Sequence, residues 1–162
     1  MRLFLFRHAE ATYDAPSDEA RELTEKGIKS TKKIAECLKE KEFAGLTEIR
    51  HSTLVRARQT AAIFQKEMKT GARICEAERL RPGDNPFELL KGIFEHKGDL
   101  MLVGHNPHLT ILASILITGD PYSHCIDFKK TGMLSLEMIS RPSQDRIAGI
   151  WLINWFVVPR LF

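Results

Sequence analysis

Short apolar runs alternate with longer stretches of helical period along this chain. Residues 2–6 are almost entirely apolar and predict a strand buried on both faces. Residues 24–39 predict an amphipathic helix, with Ile28, Ala35 and Leu38 on the apolar face and lysines opposite. Residues 46–50 predict a weaker strand and residues 54–68 a helix, with Ser52 or Thr53 placed to cap it. A short strand is predicted over 73–76. A third helix is predicted over 86–96, with Asn85 as cap and Pro86 in the first position. Residues 100–103 predict a second buried strand, and residues 108–117 a fourth helix after an Asn–Pro pair. Two late strands, 134–140 and 150–158, flank a polar turn around 142–146, which predicts an antiparallel hairpin. Strands alternating with helices imply an α/β fold, a three-layer sandwich with helices on both faces of a mostly parallel, mixed sheet.

In such sheets ligands bind beyond the carboxyl ends of the parallel strands. The first strand runs into Arg7-His8-Ala9-Glu10. The second ends at Arg50-His51-Ser52, and the helix after it carries Arg56 in its first turn. The strand over 100–103 ends at Gly104-His105-Asn106-Pro107. Three strand ends thus deliver arginines and histidines to one edge. Guanidinium groups match phosphate oxygens with paired hydrogen bonds. A neutral imidazole can attack phosphorus, and a second, protonated one can stabilise the transferring group. Helix amino termini near Ser52 and Asn106 would add backbone donors. The set suits phosphoryl transfer, which needs positioning and charge stabilisation above all.

A length of 162 residues suits one domain spanning 1–162. A net charge of +3 is compatible with an anionic ligand and too small to suggest nucleic acid. Cys37, Cys75 and Cys125 are dispersed and odd in number, which argues against a disulfide framework and for a reducing, cytoplasmic setting. The apolar stretches are too short for a signal peptide or a bilayer span, so no membrane partner is expected.

The same residues resemble the histidine phosphatase superfamily, which includes phosphoglycerate mutases and acid phosphatases. Arg7-His8-Ala9-Glu10 resembles its Arg-His-Gly signature. Leu23-Thr24-Glu25-Lys26-Gly27 is similar to its Leu-Thr-x-x-Gly segment. The stretch from Ser52 to Thr60 is similar to Ser-Pro-x-x-Arg-x-x-Gln-Thr, and Val103-Gly104-His105-Asn106 to Val-x-His. The short chain, with Ser17-Asp18 and Arg21 before the Leu-Thr segment, resembles the SixA-type phosphohistidine phosphatases most. The resemblance implies a phosphoglycerate mutase-like fold with His8 as the nucleophile that becomes phosphorylated. It implies a phosphate pocket of Arg7, Arg56 and His105, with Arg21 as a further contact and no metal or cofactor. The implied partner is a phosphorylated protein or a small phosphorylated substrate.

Three departures stand out. Ala9 replaces the usual Gly, Thr53 the usual Pro, and Pro82 stands where many relatives carry a general-acid Glu. An alkoxide leaving group needs protonation, whereas an imidazole, with a pKa of about 6.5, can leave already protonated. The missing acid therefore favours phosphohistidine over a phosphomonoester, with Glu10 and Asp84 as the remaining acids. A small-molecule phosphatase or mutase and a non-catalytic phosphate-binding module are the competing readings. Cys75 and Arg81 have the bare spacing of cysteine-based phosphatases, but Glu76 and Glu78 between them would repel phosphate. His105 and His108 lack the spacing of a metal-binding pair.

Overall fold

Alternate residues of the first strand serve two different cores. The computed structural model describes residues 1–159. Leu3 and Leu5 of β1 (Arg2–Arg7) point into one apolar layer, and Phe4 and Phe6 into the other. β4 (Asp99–Gly104) repeats the division, with Leu100 and Leu102 on the first side and Met101 and Val103 on the second. A strand buried on both faces has no polar side to alternate with, and its continuous apolar run follows from that.

The six-stranded sheet has the order β3-β2-β4-β1-β5-β6. β2 (Leu46–His51) pairs in parallel with β4 and with the short β3 (Arg73–Glu76), and β4 pairs in parallel with β1. β5 (Met133–Ser140) runs antiparallel to β1, and β6 (Ile150–Val157) antiparallel to β5. The late hairpin is therefore present, and the sheet is mixed as the sequence implies.

Helices α1 (Glu25–Cys37) and α2 (Val55–Met68) cover the face bearing Phe4 and Phe6, through Ile34, Ala35, Ala57, Ala61 and Phe64. Phe64 meets Phe6 edge to face at 5.3 Å. Truncating so fully buried a ring costs about 3–5 kcal/mol. Helices α3 (Phe87–Phe94) and α4 (His108–Thr118) cover the other face, through Leu90, Ile93, Leu109, Leu112 and Ile115.

Three local expectations are corrected. The buried face of α1 is Gly27, Thr31, Ile34 and Ala35, while Ile28 is exposed. The reason is that the helix docks through its small residues, close to the segment after β1. Neither Ser52 nor Thr53 is the cap of α2. Leu54 holds that position, and the Ser52 hydroxyl accepts from Leu54 N one step earlier. α3 stops at Phe94, and Asn85 does accept from Phe87 N, with Pro86 as the cap residue.

Candidate active site

The ends of β1, β2 and β4 are stitched together by backbone hydrogen bonds. His8 N donates to Gly104 O and Ser52 N to Val103 O, both at 3.0 Å. His8 is thereby fixed beside His105, with ring centroids 4.8 Å apart. Arg7 reaches back to donate from Nη1 to Phe128 O at 2.6 Å, and Asn106 donates to the same carbonyl. Arg56 is buried on the first turn of α2. The structure thus places Arg7, His8, Arg56 and His105 around one point at the carboxyl edge of the sheet.

The His8 ring is held in a single useful tautomer. Its Nδ1 lies 2.6 Å from Ala9 O. A carbonyl only accepts, so Nδ1 carries the proton and the lone pair falls on Nε2. Burial lowers the His8 pKa to about 3. The Ala9 hydrogen bond opposes the shift, and the charges of Arg56, Arg7 and Lys130 reinforce it. His8 is therefore neutral and unprotonated at Nε2 at physiological pH.

His105 differs from the sequence expectation of a protonated imidazole. Burial, followed by the proximity of His8 and Arg56, lowers its pKa to about 2. Both of its ring nitrogens, together with Arg7 Nε and Arg56 Nε, lack a hydrogen-bond partner among the described residues. Buried polar groups are normally paired within the fold. Guanidinium nitrogens left without partners on the two arginines whose charge reaches His8 suit a bound oxyanion.

Two residues without a role in the sequence reading hold this arrangement. Asp18 accepts from Arg56 twice, Nη1 to its backbone oxygen at 2.7 Å and Nη2 to Oδ2 at 3.0 Å. Its Oδ1 accepts from Arg21 Nη1 at 2.9 Å. Asp18 thus orients the guanidinium of Arg56. Arg21 is tied to the site through Asp18, while its Nε donates to Thr12 O and its guanidinium lies over the Tyr13 ring. Thr60 accepts from Ala9 N and donates to Arg56 O, which joins the segment after His8 to the helix bearing Arg56. Asp18 is five residues upstream of Leu23 and Thr60 four beyond Arg56, so only the motif segments themselves could have signalled them.

The remaining motif residues brace the same loops. Thr24 N donates to Glu10 O, and Thr24 Oγ1 caps α1 through Gly27 N. A Cβ on Gly27 would sit 2.1 Å from Glu10 O, so this position admits only glycine. Gln59 Oε1 accepts from Leu23 N at 2.7 Å. The amino terminus of α2 is less open than expected, because Val55 N donates to Glu19 O.

The other candidates sit elsewhere. Burial pushes the Cys75 thiol up, away from a reactive thiolate, and Arg81 is held by Thr53 and Glu19. Asp84 accepts from Arg81 N. Hydrogen bonding from Lys26, then from Thr24, holds the Glu10 carboxyl below its usual range, so it is ionised. His108 is buried behind the site, and burial lowers its pKa to about 4.

Comparison with known proteins agrees with this geometry. No curated protein sequence matches the chain. Among solved structures, the protein histidine phosphatase SixA complexed with tungstate superposes with a TM-score of 0.83 at 21% identity, covering 99% of each chain. A protein described as phosphohistidine phosphatase SixA from Agrobacterium tumefaciens gives 0.78 at 26% identity, over 98% of this chain and 97% of that one. A mycobacterial glucosyl-3-phosphoglycerate phosphatase gives 0.71 at 16% identity, over 94% and 96%. The family model of the histidine phosphatase superfamily, branch 1, matches residues 3–83, which hold three of the four motif segments, while His105 lies beyond it. The chain belongs to the histidine phosphatase superfamily.

Proposed function

We propose that this protein is a metal-independent phosphohistidine phosphatase that works through a phosphorylated His8. The observation that carries the reading is the His8 ring, with Nδ1–H bound to Ala9 O and a neutral Nε2 within reach of the charges of Arg56, Arg7 and Lys130. In the first step Nε2 donates its lone pair to phosphorus. The bond from phosphorus to the substrate imidazole breaks, and that ring leaves with the electron pair, neutral because its other nitrogen already holds a proton. In the second step water attacks phosphorus and His8 leaves, again neutral because Nδ1 has kept its proton. One water proton passes to solvent.

Arg7 and Arg56 supply positive charge to the oxygens of the transferring group, and His105 faces the same point. A phosphoryl dianion beside His105 would raise its pKa from the depressed value of the free protein. The ring then becomes the protonated donor that the chemistry calls for. Arg21 contributes through Asp18.

The substrate class follows from the acids. Pro82 cannot donate a proton, Glu10 is ionised against Lys26, and Asp84 is occupied by Arg81 N. A site with no ready general acid suits a leaving group that needs none. The decisive experiment follows phosphate release from a phosphohistidine-bearing protein and from a panel of phosphomonoesters, with chelator present. Wild type should dephosphorylate the phosphohistidine protein selectively. His8→Ala should lose at least about 10⁴-fold in turnover and trap no phosphoryl group on the enzyme. Normal turnover by His8→Ala would remove His8 as the nucleophile. A preference for esters would move the substrate to small molecules.

A further inference from the structure

Beside the phosphate-facing residues lies a cleft of about 360 Å³ whose wall includes Arg7, Glu10, Lys26, Ser30, Lys129 and Lys130, so its four cations outnumber its one carboxylate. Two of its lysines already have carboxylate partners. Lys26 pairs with Glu10 at 3.3 Å, and Lys129 pairs with Asp127. Lys130 forms no ion pair among the described residues, and its charge reaches both His8 and Glu10.

The backbone that carries Lys130 is fastened to the nucleophile. Thr131 N donates to His8 O at 3.3 Å, and Arg7 N donates to Gly132 O at 3.0 Å. Gly132 N closes the turn onto Lys129 O at 2.8 Å. Thr131 adopts φ of +63°, a conformation that β-branched residues rarely take. Its side chain is buried, and its hydroxyl pairs with Ser30 Oγ at 2.9 Å, which fixes the turn against α1. Strain of this kind persists where the surroundings over-determine it, and it clusters at ligand sites. Here it holds Lys130 on a turn bonded directly to the backbone of His8.

We propose that Lys130 and this cleft form a specificity subsite for an acidic side chain flanking the phosphohistidine of the protein substrate. The proposal rests on the phosphohistidine reading above. The transferring phosphoryl group is served by Arg7 and Arg56, so the cation left over faces a second anionic group on the same substrate. A carboxylate carried by a polypeptide fits a cleft that is open at the surface and lined partly by lysine stems.

The test compares two phosphohistidine peptides that differ only in a flanking Asp or Asn, using wild type, Lys130→Met and Lys130→Glu. Wild type should prefer the acidic peptide about two- to fivefold in kcat/KM, the margin of one partly exposed ion pair. The preference should shrink in about 0.5 M salt, where screening acts over a few ångströms. Lys130→Met should bring the ratio to about one, and Lys130→Glu should invert it. Because the readout is a ratio within each variant, a general loss of activity does not mimic the effect. A small bisphosphorylated alcohol and its monophosphate are run alongside. Discrimination for the bisphosphate without discrimination between the peptides would overturn the proposal. Turnover of both peptides at equal rates by wild type would also overturn it and leave the phosphohistidine reading standing. If neither peptide reacts while a monoester does, the phosphohistidine reading fails and the subsite falls with it.

Discussion

Glu48 and Arg56 are both charged and both withdrawn from water, but only Glu48 has all its polar atoms paired within the fold. Glu48, on β2, accepts from Arg50 Nε at 2.5 Å and from Arg73 Nη2 of the neighbouring strand. Arg50 in turn donates to Gly92 O. Burial pushes the Glu48 carboxyl up, but the hydrogen bonds and charges of the two arginines outweigh it and hold it at about 2. Its electrostatic demands are met inside the fold. At the carboxyl edge of the same sheet, Arg56 Nε, Arg7 Nε and both nitrogens of His105 have no such partners among the described residues. The first cluster has each of its charges answered within the fold, whereas the second, although Asp18 binds both Nη groups of Arg56, keeps nitrogens that a ligand would satisfy. That difference separates a structural charge network from a reactive one, although both are made of the same residue types.

Mutations can sharpen the contrast. After loss of the nucleophile itself, the largest effect is expected at Arg56. Arg56→Ala should lower kcat/KM by about 10²–10³-fold, because charge stabilisation of the transferring group is the main catalytic contribution. Its melting temperature should fall less than that of Glu48→Gln, since the partner left behind, Asp18, is half exposed and keeps Arg21. Steady-state kinetics and thermal unfolding of one preparation check both halves. Glu48→Gln should do the reverse. Removing the charge leaves Arg50 facing a neutral amide and should cost about 2–3 kcal/mol of stability, less than the ~3–5 kcal/mol of breaking a fully buried pair, because Arg73 is exposed. Its kcat should stay near wild type. If Glu48→Gln abolished turnover with its stability intact, the division between the two clusters would be wrong.

Acid should separate them further. The pKa values of His8, His105 and His108 are lowered to about 3, 2 and 4. In the unfolded chain these rings protonate near pH 6.5. Below that pH the unfolded state binds protons that the native state refuses, so stability falls with pH from about 6.5 down to the folded values. His108 alone should account for on the order of 2–3 kcal/mol by pH 4. His108→Gln should flatten that part of the curve in denaturant titrations between pH 7 and pH 4. An equal slope in the variant would show that His108 does not carry it.

The smallest effect is expected at Asp18, whose carboxylate is half exposed. Hydrogen bonding from Arg21, then from Arg56, lowers its pKa. Asp18→Ala should lower kcat/KM about tenfold by freeing the Arg56 guanidinium. Asp18→Asn, which keeps an acceptor oxygen, should recover part of the loss. Equal damage from both would mean that charge, not orientation, is what Asp18 provides.

Much of this molecule is legible residue by residue. The apolar runs that became β1 and β4 have no other stable placement than between two helical layers. The late strands, separated by a short polar turn, announced their antiparallel hairpin. Ile28 was misplaced because periodicity alone cannot tell which of two adjoining helical stripes docks. Gly27 and Thr31 win that face because close approach to Glu10 rewards small residues. Ser52 and Thr53 look like caps by composition, yet the chain leaves β2 in an extended conformation through Leu54 and turns helical only at Val55. Pro82 in place of an acid was readable directly, and so was the order of the motif segments.

By itself the sequence determined which chemical groups this protein has and, through the ends of its parallel strands, roughly where they go. It determined the family as well, since motif order survives without coordinates. Only the tertiary structure decided which imidazole is neutral, which nitrogen of His8 bears the proton, and which cation is left unpaired. Those properties depend on burial and on charges a few ångströms away, and the partners come from distant parts of the chain. Arg7 and Phe128 are 121 residues apart and Arg56 and Asp18 are 38. Coulomb and desolvation energies fall off with distance in space, which spacing along the chain does not record.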